Sequence, residues 1–491
     1  MTLRTALLPR WLDVALHTAT RRRLLTLAGA TDAAGKIEEP REARRAVRDL
    51  IEREGADAVW LTVATLHARI PDADTVQALW RRTELDGAAA VLAEIEAGVP
   101  RTTLDHRVRI ARGTTLVDVH QLIRTPFTSG IQRVSQETVR RWQRDHDLEL
   151  VGWTDDFWSL RDVSAARRAR VLGTDVDPPA HSAPVSVVVP WGARYVVPEV
   201  ALDLARTTRM QTIAMHSRSR TSGIAFDMVP VTISETTEVN VPSDFAHQLA
   251  ALRHMDRLAA ISESTRVEYE GWRTMLSAIG LGGPQIGVVP LPVQAQEPDD
   301  AEVTAARERH TVPTMPLVLC VGSHEPRKNH LAVLHAAELL WRGGLAFSLL
   351  FVGGNAWHSE RFHRRLADLQ AAGRPVEAAR GIADDTLWAL YRVARCTVFP
   401  SLNEGFGLPV AESLASGTPA VTSNFGSMRE ISAHGGTLLI DPRDDHAIAG
   451  AIETLLTDDR VHARLVREAA ARPMRTWDDY AREAWAFLMT D

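Results

Sequence analysis

The chain of 491 residues carries two cysteines, two lysines and four tyrosines, and its scarcities narrow what it can be. Cys320 and Cys396 each stand inside an apolar, strand-like run, LVLCVG and RCTVFP. They read as buried, reduced thiols and not as a disulfide framework or a metal cluster. No apolar run approaches the roughly 18 residues that a membrane-crossing helix requires. Arg4 and Arg10 interrupt the start of the chain where a signal peptide would need its apolar core, so a cytoplasmic protein is expected. A formal net charge of −6 supplies no basic field for nucleic acid. Lysine occurs only at Lys36 and Lys328, and the remaining basic residues are arginine. That bias is the kind a GC-rich genome imposes, which makes a lysine kept against it worth inspecting.

What is present is ordinary globular material, 45% hydrophobic and 24% charged. The length favours two or three domains over one core. Residues 1–105 are helical in pattern, with Leu8, Trp11, Leu12 and Ala15 on one face and PREARRAVRDLIEREG at 40–55. Residues 106–300 alternate strand and helix signals. LVDVHQLI, LELVGW, VSVVVPW, MQTIAMH and GIAFDMVPV read as successive strands, followed by LAAIS and IGVVPLP. The polar stretch 293–316 reads as a linker. Residues 301–475 repeat the alternation in LVLCVGS, FSLLFVGG, VEAARG, CTVFPS, PAVTSN and TLLIDP. The last stretch, 476–491, contains a helical segment, WDDYAREAWAFL. The expected fold class is α/β: two doubly wound, Rossmann-like sheets facing a cleft, plus a helical N-terminal region.

Ligands of such sheets sit at the carboxyl ends of the strands. After LVLCVGS comes HEPRKNH, where Arg327 and Lys328 offer a planar fork and a point charge suited to phosphate oxygens. A solvated basic pair is the plainer alternative for those two residues. Gly353 and Gly354 close the next strand, and a tight turn explains them nearly as well as a ligand does.

The stretch SLNEGFGLPVAESLASGTPAV at 401–421 sets Glu404 and Glu412 around a glycine turn. Neighbours on one solvated helix face stand three or four positions apart, so this pair straddles a loop–helix junction instead. The free N–H groups at the helix start suit an anion such as a diphosphate. Carboxylates on either side suit sugar hydroxyls, Glu412 for a ribose and Glu404 for a transferred sugar. The alternative is a capped, buried helix with two incidental acids, which leaves two costly carboxylates unexplained.

Three stretches resemble the retaining family-4 glycosyltransferases of the GT-B fold: VGSHEPRKNH at 321–330, RGIADDTLWALYRVARCTVFPSLNEGFGLPVAESLASGTPAV at 380–421, and SMREI at 427–431. The resemblance is looser at RTPFTSGIQRV (124–134), FDMVPVT and LAAISESTR, and residues 1–105 have no counterpart. It implies a nucleotide-diphosphate sugar donor, a glycan, lipid-linked or small-molecule acceptor, retention at the anomeric carbon, and neither metal nor further cofactor. By resemblance Glu404, Arg327 and Lys328 are catalytic, and Gly130, Gly322, Arg380, Ile382, Gly405, Phe406, Gly407, Leu408 and Glu412 join them around the donor. The terminal helix is expected to cross back onto the first domain, as its family counterparts do. The EPRKN form of the phosphate loop leans toward mannosyl or rhamnosyl transfer in polysaccharide synthesis.

Where many members carry an arginine shortly before the lysine, this chain has Ser323-His324, and Arg327 is the substitute. Where many carry a histidine before the aspartate, it has Phe226-Asp227. His120, His216 and Asp227 are therefore the candidates for the first-domain contact. A non-catalytic partner subunit that retains the sugar-nucleotide site is the alternative to an enzyme. The basic start, with Arg4, Arg10 and Arg21 to Arg23, suits either a peripheral contact with an anionic membrane or packing against the body or a second copy.

Overall fold

The computed structural model describes residues 10–30, 37–124, 130–173, 186–292 and 294–490. Arg4, Leu8 and Lys36, and Thr125 to Ser129 of the first-domain loop, lie outside them.

The chain opens with helices Arg10–Gly29, Pro40–Glu54, Ala56–His67, Ala73–Asp86 and Ala88–Ala97. Pro40 occupies a first-turn position, where its missing N–H costs nothing. Asp72 caps the fourth helix by accepting from the Thr75 amide at 2.8 Å. The third helix, ADAVWLTVATLH, is apolar on every side and is buried on every side. It packs against the helix Leu204–His216, where Trp60 Nε1 donates to Thr212 Oγ1 at 3.2 Å. A continuous apolar core runs from Leu24, Val47 and Trp60 through Val187 and Val188 to Met210 and Leu258. The helical region and the first sheet are thus one packed body. Leu24 and Leu27 are buried there, and Arg23, fully buried, donates to the carbonyls of Leu66 and Thr103. That part of the basic start faces protein, not lipid.

The first sheet contains β1 (Arg107–Ala111), β2 (Thr115–Asp118), β3 (Glu149–Trp153), β4 (Leu160–Asp162), β5 (Ser186–Pro190), β6 (Arg194–Val197), β7 (Arg220–Ala225), β8 (Arg257–Ala260) and β9 (Gln285–Val288). Its order is β1-β5-β4-β3-β2-β6-β7-β8-β9, parallel except where β4 meets β3 and β5. The second contains β10 (Leu317–Val321), β11 (Ser348–Val352), β12 (Val376–Ala379), β13 (Cys396–Phe399), β14 (Ala420–Ser423) and β15 (Thr437–Ile440). Its order is β12-β11-β10-β13-β14-β15, and every pairing is parallel. Residues of β10, β11, β13 and β14 are buried throughout, as strands covered on both faces must be. Cys320 and Cys396 lie there as free, buried thiols, and burial pushes both up.

Four sequence expectations are corrected. MQTIAMH is the end of the helix Leu204–His216, not a strand. In LVDVHQLI the strand stops at Asp118, and His120–Arg124 is helical. In GIAFDMVPV it stops at Ala225, and Val229–Thr232 is helical. The stretch 293–316 is not a plain linker: it holds the helix Asp300–His310, started by a capping box of Asp299 and Glu302, with Ala306 buried in a cluster that includes Trp388.

The two sheets share a second apolar cluster. It joins Phe226, Ile261 and Leu291 of the first to Phe406, Val410, Met428 and Ile431 of the second, and it takes in Trp477 and Tyr480. The helix Trp477–Met489 packs back on the first domain: Trp142 Nε1 donates to Ala481 O at 2.8 Å, and Trp485 stacks on His146 with ring centres 3.9 Å apart.

Candidate active site

The strand ends of the second sheet converge because glycine lets them. A Cβ on Gly353 would lie 1.9 Å from the Gly322 carbonyl oxygen, so no other residue fits after β11. Gly322, at φ +149°, ends β10 beside the Lys328 side chain. Pro326–Lys328 then form a single tight helical turn, closed by Asn329 at φ +59°. This turn aims Arg327 and Lys328 at the segment after β13.

There they meet Glu404. Its Oε1 accepts from Lys328 Nζ at 2.5 Å and from Ser401 Oγ at 2.7 Å, and its Oε2 lies 2.7 Å from Arg327 Nη1. Arg327 also pairs with Glu325 at 3.0 Å and donates to Asn403 O at 3.1 Å. Lys328 Nζ sits 5.0 Å from the centre of the Phe399 ring. Burial disfavours the Glu404 carboxylate, but Arg327 and Lys328 outweigh it and hold the group down at about 2. The cluster is a buried, paired set of charges, and a carboxylate held so low is ionised at neutral pH and a weak proton acceptor.

Gly405, Phe406 and Gly407 lead into the helix Leu408–Ala415, with Gly407 as N-cap at φ +99°. A Cβ on Gly405 would stand 2.9 Å from Cβ of Asp227 in the first domain. That close approach requires glycine, and the Gly405 carbonyl accepts from Ser262 Oγ at 2.5 Å and Thr265 Oγ1 at 3.1 Å. Asn403 Nδ2 donates to Glu268 at 3.0 Å, and the Glu430 carboxylate accepts the Glu263 and Ser264 amides at 3.0 and 3.1 Å. Glu412, one turn into the helix, accepts from Arg133 Nη1 at 2.7 Å and from Tyr391 Oη at 3.0 Å. Burial pushes its carboxyl up, and Arg133 and Tyr391 oppose that.

Of the first-domain candidates, Asp227 is brought to the site, against Gly405 and within the field of Arg327 and Glu404; burial pushes its carboxyl up. Gly130 reaches it too: a Cβ built there would stand 3.5 Å from Leu408 Cδ1. His120 stands at the carboxyl end of β2 with Nδ1 accepting the Trp153 amide at 3.1 Å, and burial lowers it to about 4, so it is neutral. His216 is not brought there. It ends the helix ahead of β7, at the amino end of that strand and not the carboxyl end, and its Nδ1 lies 3.0 Å from Asp57 of the helical region. Arg380 is exposed at the end of β12, and Ile382 packs against the apolar cluster that contains Val321 and Trp388. Among the described residues no group of three or more His, Cys, Asp or Glu is placed to hold a metal ion.

Sequence reasoning missed a buried network behind His120. Asp118 accepts from Tyr195 Oη at 2.6 Å and Trp153 Nε1 at 2.7 Å, and lies 3.0 Å from Arg206. Glu199 accepts the Gln121 and Leu122 amides at 2.9 and 2.8 Å and lies 3.2 Å from Arg206, so it caps the short helix His120–Arg124. Burial and the nearby Asp118 push the Glu199 carboxyl well above the usual carboxylate range, although Arg206 opposes them. Only the position of Glu199, an acid just past the apolar run YVV and Pro198, hinted at it.

Residues 303–472 match the family model of glycosyl transferases group 1. That span holds the Arg327–Lys328–Glu404 cluster and Glu412. Over 65% of its length the chain is 26% identical to a serotype-specific mannosyltransferase WbdA of Escherichia coli, of which it covers 39%. Over 42% it is 36% identical to a D-inositol 3-phosphate glycosyltransferase of Acidothermus cellulolyticus, of which it covers 48%. The chain thus spans less than half the length of these curated relatives. Among solved structures, WaaG, a glycosyltransferase involved in lipopolysaccharide biosynthesis, is matched over 77% of this chain and 100% of that one, with a TM-score of 0.52 at 14% identity. Sucrose-phosphate synthase from Thermosynechococcus elongatus is matched over 77% and 98%, with a TM-score of 0.53 at 16% identity. Likeness at that identity speaks for the fold, which is GT-B with an added helical region.

Proposed function

We propose that the chain is a glycosyltransferase that moves a hexose from a nucleotide-diphosphate sugar to a glycan acceptor, with retention and without a metal ion. The observation that carries this is the buried Arg327–Lys328–Glu404 cluster beside the start of the Leu408–Ala415 helix, inside the segment that matches glycosyl transferases group 1. Two cations and a helix start are the groups needed where a departing diphosphate gathers negative charge. Mannose is the favoured hexose, since several relatives are named mannosyltransferases.

In this reading the donor diphosphate lies over Gly405 to Leu408, and Arg327 and Lys328 turn from Glu404 toward it. Glu404, ionised, then accepts hydroxyls of the transferred sugar. The acceptor hydroxyl attacks from the side of the leaving group, and its proton passes to the departing phosphate, so no side-chain base is needed. The closed junction between the sheets keeps water from the donor. The donor is a substrate, and no other cofactor takes part.

The test is to incubate the purified chain with GDP-mannose and, in parallel, other nucleotide hexoses, with and without EDTA, against a panel of glycan and lipid-linked acceptors. Nucleoside diphosphate release coupled to a new α-linked product, unchanged by EDTA, is expected. A product of anomeric configuration opposite to the donor's rules out retention, and loss with EDTA rules out metal independence. No turnover with any donor, from folded protein that binds a nucleotide sugar, would leave the non-catalytic subunit.

A further inference from the structure

Glu412 belongs to the second domain, yet its charged partner comes from the first. Arg133 lies on the helix Gly130–Asp145, and its guanidinium crosses the junction to Glu412 Oε1 at 2.7 Å, with side chains 29% and 12% exposed. Tyr391 Oη holds the other oxygen at 3.0 Å. A carboxylate has about four lone-pair directions, and these partners occupy two. The remaining two suit a pair of vicinal hydroxyls. Without its cation a buried carboxyl favours the protonated form, which donates where a diol needs an acceptor.

We propose that Arg133 is a positioning residue for nucleotide recognition: it holds the Glu412 carboxylate, across the domain junction, as an oriented acceptor for the two ribose hydroxyls of the donor. This rests on the reading of Glu412 as the ribose acceptor. The consequence is that ribose selectivity, a property of the second domain, depends on a side chain of the first and on the domains being closed. Three residues earlier, a Cβ on Gly130 would stand 3.5 Å from Leu408, so the start of the Arg133 helix lies close to the helix that carries Glu412.

The experiment is calorimetric titration of the full chain with GDP, UDP and ADP and with the 2′-deoxy form of each. The wild type is expected to bind one ribonucleotide roughly tenfold more tightly than its deoxy form, the scale of one charge-assisted hydrogen bond. In Arg133→Met this ratio is expected to fall to about twofold or less, with affinity for the deoxy form, which keeps its 3′-hydroxyl, reduced by less than that for the ribonucleotide. Arg133→Lys, which keeps the charge without the fork, is read beside it. If Arg133→Met does not fold, a ratio in Arg133→Lys below that of the wild type supports the proposal and an unchanged ratio overturns it. A wild-type ratio retained in folded Arg133→Met overturns the role of Arg133 alone. A wild type that binds nucleotides without preferring ribose overturns the Glu412 assignment and this proposal with it. A wild type that binds no nucleotide overturns the donor reading itself.

Discussion

Glu404 concentrates the chemistry of the site in one side chain. It neutralises two cations that have little water, and its low protonation point measures how strongly they hold it. A group held at about 2 against an ordinary 4.5 stabilises the fold fully above pH 4.5, and that contribution drains away as pH falls toward 2. The shift corresponds to about 3 kcal/mol. Glu404→Gln is therefore expected to lower the melting temperature at pH 7 and to flatten its fall between pH 4.5 and 2, seen by differential scanning calorimetry at stepped pH. Transfer activity should drop at least a hundredfold, since the neutral amide leaves Arg327 and Lys328 uncompensated and presents a weaker acceptor. This residue was legible in the sequence because glycine and proline punctuate the loop around it. Arg133 was not. It is separated from Glu412 by most of two domains, and nothing in a local pattern reports a contact that only closure of those domains creates.

At the scale of elements, the short helix His120–Arg124 depends on a carboxyl that is ill at ease. Glu199 caps it from the loop after β6 while facing Asp118 from β2 and Arg206 from the helix Leu204–His216. Its folded-state value of about 7 lies above the ordinary 4.5, so the folded state keeps a proton that the unfolded chain releases. Stability is accordingly expected to decline as pH rises from 4.5 to 7, the reverse of Glu404. Glu199→Gln should remove that slope, measured by urea unfolding at stepped pH. The same region shows why some elements were misread. MQTIAMH is an apolar run too short to separate strand from helix by period, and the polar turns before it, LARTTR, hide the helix because Arg206 and Thr207 are buried despite their chemistry. The strands of the second sheet were legible because they are short, mostly apolar runs, several of them ended by glycine or proline, as in LVLCVG, FSLLFVGG and CTVFP. The Asp300–His310 helix carried a readable signal, acid-x-x-Glu, that its proline-bearing surroundings obscured.

For the whole molecule, the main departure from the sequence reading is that the helical region has no core of its own. Residues of the Ala56–His67 helix, of β5 and of the Leu204–His216 helix bury one another. They should therefore open together. Native-state hydrogen exchange is expected to give the Val59–Leu66 amides the same opening free energy as β5 and β6, within about 1 kcal/mol, and a smaller value for one set would mark the helices as a separate unit. The alternation of strand and helix gave no hint of this union, because a helix that is apolar on every face does not say which neighbour covers it.

The return of the Trp477–Met489 helix has a consequence in time. During synthesis the strands of the first sheet are complete at Val288, but Trp142 and the flank of β8 wait for residues beyond Trp477. At 5–20 residues per second that interval lasts roughly 10–40 s. A nascent first domain thus stays adhesive on this flank while its partner is being made, and the Trp477–Met489 helix is the stitch that covers it.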